Sequence, residues 1–369
     1  MTEQPLKAPF PYFGGKSKIA SVIWERFGEV RNYVEPFFGS GAVLLANPHP
    51  QGTETVCDKD HFVANFWRAV RANPVRVTHY VDRPVSEVEL QHVHHWLVTD
   101  GASRLRDIET NRYFYDAEVA GLWLWGSCSW IGSGWCSGQG PWVLTDDEWR
   151  KDGGRGINRQ LPHLGNRGRG INRQLPHLGD RGRGINRQMQ GQLTRREFIE
   201  HWITALAERM RDVRVTCGDW SRITGSSVTY RLGVTAIFLD PPYSAKAERC
   251  LGVYRQDDDA VAHVAAKWAM EQGDNPLMRI AFAGYDGEHD FPSTWDRHAW
   301  KTPGGYGSQG DGRGRNNSHK ESIWFSPHCL PRTMSSQPAS SSHQKSIVAF
   351  GVTIPVHTAT KPGDSFDTG

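Results

Sequence analysis

The sequence lacks the features typical of secreted, membrane-spanning and disulfide-stabilised proteins. Its six cysteines form no Cys-x-x-Cys pair, no apolar run is long enough to cross a membrane, and the first residues do not have the form of a signal peptide. The net charge of +3 excludes a strongly acidic or basic chain overall. A cytoplasmic protein with reduced thiols and no membrane partner is therefore expected.

Metal binding has little support in the sequence. The side chains with suitable ligand atoms for zinc are Cys128, Cys136, His163 and His177. Their spacing fits no ordinary zinc site. A further cluster of three histidines is interpreted as part of a solvated helix face: His92, His94 and His95. We therefore predict no metal site.

What the sequence does contain is the motif Asp240-Pro241-Pro242-Tyr243, directly after the apolar, β-branched run 234–239. This run predicts a buried strand of a parallel sheet. Two consecutive prolines remove ladder donors, so the strand must end at Asp240. The motif places a carboxylate and an aromatic ring at the edge where open α/β sheets bind ligands. A strand-ending turn without chemistry is the alternative.

The motif suits methylation of an exocyclic amino group, whose lone pair is conjugated into a base. The Asp240 carboxylate and the Pro241 carbonyl can each accept one N–H, which frees the lone pair for attack on a sulfonium methyl group. Tyr243 offers a ring face for a base taken out of its stack, and Pro242 keeps the loop rigid. The predicted mechanism is direct transfer, in which positioning and electrostatics supply most of the acceleration.

A second candidate segment, Tyr12-Phe13-Gly14-Gly15-Lys16, precedes a helix predicted from about Ser17. Gly14 and Gly15 allow the backbone to approach a ligand closely. Lys16 opposes the helix dipole, so we expect it to pair with a carboxylate, for which a bound amino-acid moiety is a candidate. A solvated lysine in a turn is the alternative.

Acidic residues also end three other predicted strands. Residues 33–44 predict the first βα unit of a Rossmann-like sheet, and Glu35 at its strand end favours a positively charged or amine-bearing ligand over a phosphate. About 20 residues further on, Asp58 is placed to bind ribose hydroxyls; the alternative is that it caps the next helix, and the two roles are compatible. Asp219 ends a later strand and suits the adenine amino group of a cofactor, with Trp220 packing against the adenine ring; a plain strand end is the alternative.

Residues 122–149 combine glycine and serine with many tryptophans, a composition that predicts no regular helix. The tryptophans are Trp123, Trp125, Trp130, Trp135, Trp142 and Trp149. Two interpretations stay open: exposed rings that stack on or wedge between bases, and a small aromatic core.

A basic repeat with a 14-residue period follows, because Arg155–Gly165 recurs at Arg169–Gly179 and begins again at Arg183. A basic run beside aromatic residues is the expected footprint of a nucleic-acid contact. The arginines predicted to bind DNA are Arg155, Arg159, Arg169, Arg173, Arg183 and Arg187. A disordered basic loop without specificity is the alternative.

Three motifs in this order resemble the Dam-like (D12 class) DNA adenine-N6 methyltransferases: Phe13-Gly14-Gly15-Lys16, Glu35-Pro36-Phe37-Phe38-Gly39-Ser40-Gly41 and Asp240–Tyr243. The resemblance implies an α/β, Rossmann-like S-adenosylmethionine-dependent methyltransferase sheet with an inserted target-recognition subdomain. It implies a catalytic domain at 8–74 and 194–328 and an inserted region at 75–193. Residues 331–369 are expected to be a disordered tail rich in Ser, Thr and Pro.

The resemblance also assigns roles to residues. Lys16 contacts the cofactor, and so does Tyr12, a position at which many relatives carry Trp. Glu35 lies at the methionine end of the cofactor, and Asp58 lies at its ribose. Asp240 and Tyr243 hold an adenine flipped out of double-stranded DNA. The full predicted cofactor-binding set is Tyr12, Gly14, Gly15, Lys16, Glu35, Pro36, Phe37, Gly39, Gly41, Asp58, Asp219, Trp220 and Asp240.

The predicted function is therefore site-specific methylation of adenine N6 in DNA with S-adenosylmethionine as cofactor. Cytosine-N4 methylation and a catalytically silent DNA-binding protein on the same scaffold are the alternatives. Repeats of this kind occur in phage-type relatives, which favours a phage or prophage origin and action inside a bacterial host cell. A cognate restriction endonuclease is a candidate partner.

Overall fold

A seven-stranded sheet lies at the centre of the part of the chain that the computed structural model describes. The described residues are 6–10, 16–130, 135–136, 142–145, 148–151, 194–242, 260–300 and 321–332. The strands of the sheet are β1 (Asn32–Glu35), β2 (Thr53–Asp58), β5 (Arg214–Cys217), β6 (Thr235–Leu239), β7 (Met278–Tyr285), β8 (Asp296–Ala299) and β9 (Glu321–Phe325). A separate antiparallel hairpin joins β3 (Trp142–Thr145) to β4 (Glu148–Lys151).

The strand order across the large sheet is β5-β2-β1-β6-β7-β9-β8. The five strands from β5 to β7 are parallel, and β9 pairs antiparallel with β7 and β8. The chain first extends the sheet from β1 through β2 to β5, then returns to add β6 on the other side of β1. The order therefore reverses between β1 and β6, and ligands bind at such a switch point in open α/β sheets. This topology confirms the predicted Rossmann-like fold.

Helices cover both faces of the sheet. The helices of the described residues are α1 (Ala20–Phe27), α2 (Ala42–Leu45), α3 (His61–Ala72), α4 (Pro74–Val81), α5 (Glu87–Trp96), α6 (Ala102–Arg104), α7 (Ala117–Ser129), α8 (Arg195–Met210) and α9 (Val261–Gln272), and several of these pack on other helices. A 3-10 turn at Lys16–Lys18 precedes α1. Thr194 and Glu197 form a capping box at the start of α8. None of the helices described is long and apolar enough to span a membrane.

The central strands β1, β6 and β7 are mostly buried on both faces, because successive side chains point to opposite sides and both sides are covered. In β6, Phe238 belongs to the larger core with α1, α3 and α8, whereas Ile237 and Leu239 belong to a second core with α9. All five β6 residues are buried. The uninterrupted apolar sequence of β6 follows from this double coverage.

The tryptophan-rich segment differs from its prediction. Residues 122–129 do form a regular helix, the second half of α7, and its rings Trp123 and Trp125 are buried. The glycines that argued against a helix allow close packing: a Cβ at Gly126 would lie 1.8 Å from the Trp135 ring, and one at Gly121 would lie 2.4 Å from Tyr80. In this segment the aromatic-core interpretation is therefore confirmed for the described rings.

One histidine in the predicted solvated cluster is buried instead. His94 is 5% exposed, stacks on Trp130 and accepts a hydrogen bond from the Cys136 backbone N–H at 3.3 Å. Burial, reinforced by the neighbouring His95, lowers the pKa of His94 to about 4. The prediction of a solvated face is wrong for His94 because tryptophans distant in sequence cover it.

A buried ion pair fastens α8 to the sheet, and its removal should destabilise the protein. Arg209 donates to both carboxylate oxygens of Glu54, at 2.6 and 2.7 Å, and to the Leu44 carbonyl at 2.9 Å. We expect Arg209→Met to lower the free energy of unfolding by about 3 kcal/mol, because Glu54 would keep a charge without its partner. Urea denaturation measures this change.

The matched control is Arg211→Met, since Arg211 pairs with Glu208 on the exposed side of the same helix end. Exposed pairs contribute about 1 kcal/mol at most. Equal losses of stability in the Arg209 and Arg211 variants would contradict the structural role of the Glu54 pair.

Candidate active site

Four acidic residues lie along the carboxyl edge of four neighbouring strands. Asp219 follows β5 by two residues, Asp58 ends β2, Glu35 ends β1, and Asp240 directly follows β6. The order β5-β2-β1-β6 places these strand ends side by side in that sequence. The acids that were singled out one by one in the sequence thus form a row along one edge.

Glu35 and Asp240 flank the switch point, although two hundred positions separate them in the chain. Parallel pairing of β1 with β6 aligns Val34 with Ile237 and brings the two strand ends together. Glu35 is 2% exposed, whereas the Asp240 side chain is 19% exposed. One carboxyl group is therefore enclosed and the other remains accessible from outside.

Lys16 connects the amino-terminal segment to this edge. Its ammonium nitrogen lies 2.9 Å from Oδ2 of Asp240, and its side chain is 3% exposed. Burying an ammonium group without a partner would be costly, so the ion pair explains why a lysine is tolerated here. The expectation that Lys16 pairs with a carboxylate is met by Asp240 itself, and the solvated-lysine alternative is wrong.

The Glu35 carboxyl group is held by its own strand and by α2. The Tyr33 hydroxyl donates to Oε2 of Glu35 at 2.8 Å, and the Leu44 backbone provides a further hydrogen bond. Burial raises the pKa of Glu35 well above its ordinary value of 4.5, and the nearby Asp240 carboxylate raises it further. A cation entering this site would favour the charged form of Glu35.

The turn between β1 and α2 carries the predicted residues Pro36, Phe37, Gly39 and Gly41. Gly39 and Gly41 have positive φ angles of 48° and 68°, a conformation that glycine adopts at little cost. Trp67 of α3 donates from its ring nitrogen to the Gly39 carbonyl at 3.0 Å. Pro36 is buried and Phe37 is half-buried. Helix α3 therefore holds this turn in place through the hydrogen bond from Trp67.

Asp58 organises the same turn. Its Oδ2 accepts from the Gly39 N–H and its Oδ1 from the Asp60 N–H, both at 2.8 Å. Burial, and next the Asp60 charge, raise the pKa of Asp58 to about 7. The alternative that Asp58 caps the following helix is wrong, because Asp60 is the N-cap of α3 and accepts from the Phe62 N–H.

Asp219 and Trp220 form the β5 end of the row. Asp219 is exposed and caps a 3-10 turn by accepting from the Ser221 N–H at 2.9 Å. Trp220 stacks on Phe37 with ring centroids 6.0 Å apart and an angle of 27° between the planes. The two rings form an apolar wall between the β5 and β1 ends.

Pro241 and Pro242 follow Asp240 and end β6 as predicted. Several predicted site residues lie outside the described residues: Tyr12, Gly14, Gly15, Tyr243, Arg155, Arg159, Arg169, Arg173, Arg183 and Arg187. Their roles stay predictions.

Two side chains that sequence reasoning missed support the site from within the core. Tyr33 orients Glu35, and Trp67 holds the Gly39 carbonyl. Tyr33 lies two positions before Glu35, so both point to the same face of β1, and this spacing was a usable signal. Trp67 carried no such signal, since its partner is distant in sequence.

The mostly parallel α/β sheet, with acids along its switch-point edge, is consistent with a Rossmann-like methyltransferase fold. Residues 12–96 match the family model of the D12 class N6 adenine-specific DNA methyltransferases. No curated protein matches the chain. Over these residues the chain is similar to that family, which confirms the resemblance indicated by the motifs and supports adenine-N6 methylation of DNA as its activity.

Proposed function

We propose that this methyltransferase uses S-adenosylmethionine bound along the edge formed by β5, β2 and β1, and that it modifies an adenine flipped out of double-stranded DNA at the β6 end. The observation that carries the proposal is the row of acids Asp219, Asp58, Glu35 and Asp240 on adjacent strands. The row crosses four adjacent strands, an extended arrangement that suits an elongated cofactor, and it ends at the motif predicted to hold the amino group.

The chemistry of the row fits this cofactor. The cofactor supplies an electrophilic methyl group on a sulfonium cation. Buried Glu35 provides negative charge near a cationic centre, and Asp58 offers acceptors for ribose hydroxyl groups. Asp219 can accept from an adenine amino group while the Trp220 and Phe37 rings provide an apolar surface. No phosphate-binding cation is needed, in agreement with the acidic edge.

At the β6 end, Asp240 accepts one hydrogen of the target amino group and the Pro241 carbonyl accepts the other. Both acceptors draw the nitrogen lone pair out of conjugation and aim it at the methyl group. Lys16 holds the Asp240 carboxylate in position through the 2.9 Å ion pair. These groups are fixed before the substrate arrives, and such preorganisation is a major source of catalysis.

The proposal that other parts of the chain also bind DNA is based on the sequence alone. The basic repeat within residues 75–193 supplies arginines for phosphate and groove contacts, and this region is proposed as the target-recognition part of the protein. The described helices α4 and α7 of this region pack against α3 and α8 of the sheet domain. A cognate restriction endonuclease remains a proposed partner.

The proposal is tested by incubating the full-length protein with DNA and methyl-labelled S-adenosylmethionine and then identifying the modified nucleoside. We expect label in N6-methyladenine at a limited set of sequence positions. Label in N4-methylcytosine would overturn the target assignment, and absence of transfer with retained cofactor binding would overturn the arrangement at β6.

Glu35 should make cofactor binding dependent on pH. Its raised pKa keeps the carboxyl group protonated to a higher pH than in a free glutamate. A cationic ligand favours the carboxylate, so binding should release a proton, and affinity should rise with pH until it levels off above the pKa of Glu35 in the free enzyme. Each unit by which the ligand lowers this pKa corresponds to about a tenfold gain in affinity.

Calorimetric titration in buffers of different ionisation enthalpy measures the released proton. Glu35→Gln should abolish this proton release and weaken binding at high pH. Glu25→Gln, which changes an exposed residue of α1, is the control and should behave as the original protein does. Proton release that persists in Glu35→Gln would assign it to another group.

A further inference from the structure

A second cluster of side chains lies at the outer end of the acidic row. His61 is the first residue of α3, Glu109 lies in the connection between α6 and α7, and Cys217 is the last residue of β5. The His61 Nε2 lies 2.8 Å from Oε1 of Glu109. A ring nitrogen of His61, a carboxylate oxygen of Glu109 and the Cys217 Sγ all lie within 4.8 Å of one another. Three distant parts of the chain thus bring one nitrogen, one oxygen and one sulfur donor to a single point.

The donor set matches the preferences of zinc and similar transition metals. Zinc binds imidazole nitrogen, carboxylate oxygen and thiolate sulfur at about 2.0–2.3 Å in a tetrahedral arrangement, which separates neighbouring donors by about 3.3–3.7 Å. Shifts of about an ångström would convert the observed triangle to that geometry. Hard cations such as magnesium prefer oxygen ligands alone and fit this set poorly.

Burial differs among the three donors in a way that suits an open metal site. The Cys217 side chain is buried, whereas the side chains of His61 and Glu109 are 23% and 45% exposed. A metal would therefore enter from solvent past His61 and Glu109 and reach the thiol at the back. The exposed side leaves room for water at the fourth position.

The backbone segments that carry the donors are tied together. Arg222 donates to the carbonyls of Cys217, at 2.5 Å, and Glu109, at 3.4 Å. Asp60 caps α3 immediately before His61. Such outer contacts hold ligands in place and tune metal affinity.

The charges around the cluster are mixed. A thiolate and a carboxylate neutralise a divalent cation. Burial raises the pKa of the Cys217 thiol well above its ordinary value; the Arg68 charge opposes this rise, whereas Asp58, Cys57 and Glu109 reinforce it. Arg222 repels a cation, but its guanidinium group is engaged with the two carbonyl oxygens. The site is thus near neutrality once a metal is bound.

We propose that His61, Glu109 and Cys217 form a binding site for zinc or a similar transition metal. The metal replaces the direct hydrogen bond between His61 and Glu109 and links the ends of β2 and β5 to the α6–α7 connection. The sequence predicted no metal, because the spacing of 61, 109 and 217 belongs to no known ligand pattern. None of the three ligands belongs to the proposed cofactor-binding set, so a metal titration tests this proposal without relying on the cofactor assignment.

The test is a cobalt(II) titration of the metal-free, full-length protein, because a thiolate ligand gives cobalt an intense charge-transfer absorption in the near ultraviolet. We expect this band, its displacement by zinc, and a higher melting temperature with zinc bound. Cys217→Ser should remove the band, while His61→Gln and Glu109→Gln should each weaken affinity at least tenfold. Cys250→Ser is the control and should keep both the band and the affinity.

A titration without the band would overturn the proposal, as would a band that survives in Cys217→Ser. If Cys217→Ser fails to fold, the variants at the partly exposed His61 and Glu109 test the proposal instead. Unchanged cobalt affinity in both of them, with folding verified by circular dichroism, would show that the metal binds elsewhere. DNA methylation is not the readout, so loss of enzyme activity for other reasons leaves the result interpretable.

Discussion

Replacing Asp240 with asparagine is expected to slow adenine methylation by about 10³-fold, the scale observed when one preorganised polar contact to a transition state is removed. The asparagine amide loses the negative charge and presents N–H groups where an acceptor is needed. It also ends the ion pair with Lys16. The rate is measured in a single turnover with labelled cofactor at saturation, so that weaker binding does not mimic slower chemistry.

The matched control is Asp286→Asn, which makes the same chemical change in an exposed aspartate paired with Arg297. We expect its rate to stay within about twofold, since exposed ion pairs contribute little. A protein that acts only by binding DNA would keep its function in the cell when Asp240 is changed. Near-normal methylation by Asp240→Asn would remove this carboxylate from the mechanism.

Replacing Lys16 with methionine is expected to have the second largest effect. The buried ammonium group would disappear, and the Asp240 carboxylate, which lies close to Glu35, would lose its ion pair with Lys16. Breaking a buried ion pair in this way costs about 3 kcal/mol of stability. We also expect methyl transfer to fall about 10²-fold, because Asp240 loses the contact that positions it.

Lys18→Met provides the comparison, since Lys18 lies in the same 3-10 turn but is exposed. Urea denaturation gives the stability of both variants, and single-turnover rates at saturating cofactor give the chemistry. If Lys16→Met matches Lys18→Met in both measurements, the ion pair has no role in holding the site. A stability loss without a rate loss would limit Lys16 to a structural role.

Local signals in the sequence predicted the strand ends and the acids on them. The apolar run before Asp240 and its two prolines define the end of β6 without reference to any other part of the chain. Glu35 and Asp58 were found in the same way, from a strand followed by a turn. Each of these signals depends on a few neighbouring residues, and the structure confirms their positions.

The relations between distant segments were not predictable in this way. The Lys16–Asp240 contact depends on β1 and β6 being neighbours, which no local pattern specifies. Trp123 lies in a helix because Phe10, Phe62 and Phe66 pack around its ring, so tertiary packing outweighs the glycine content. The strand β8 was missed because its residues Asp296–Ala299 are largely exposed at the sheet edge and show no apolar pattern.

The position of β6 beside β1 has a consequence for biosynthesis. A ribosome completes β1 long before it reaches Leu239 at the end of β6. The edge of β1 that later pairs with β6 therefore stays unpaired during most of translation. Until β6 emerges, that edge is open to wrong pairing or to a chaperone. Low temperature or slow translation should therefore lower the yield of folded protein by more than the stability of the finished protein would suggest.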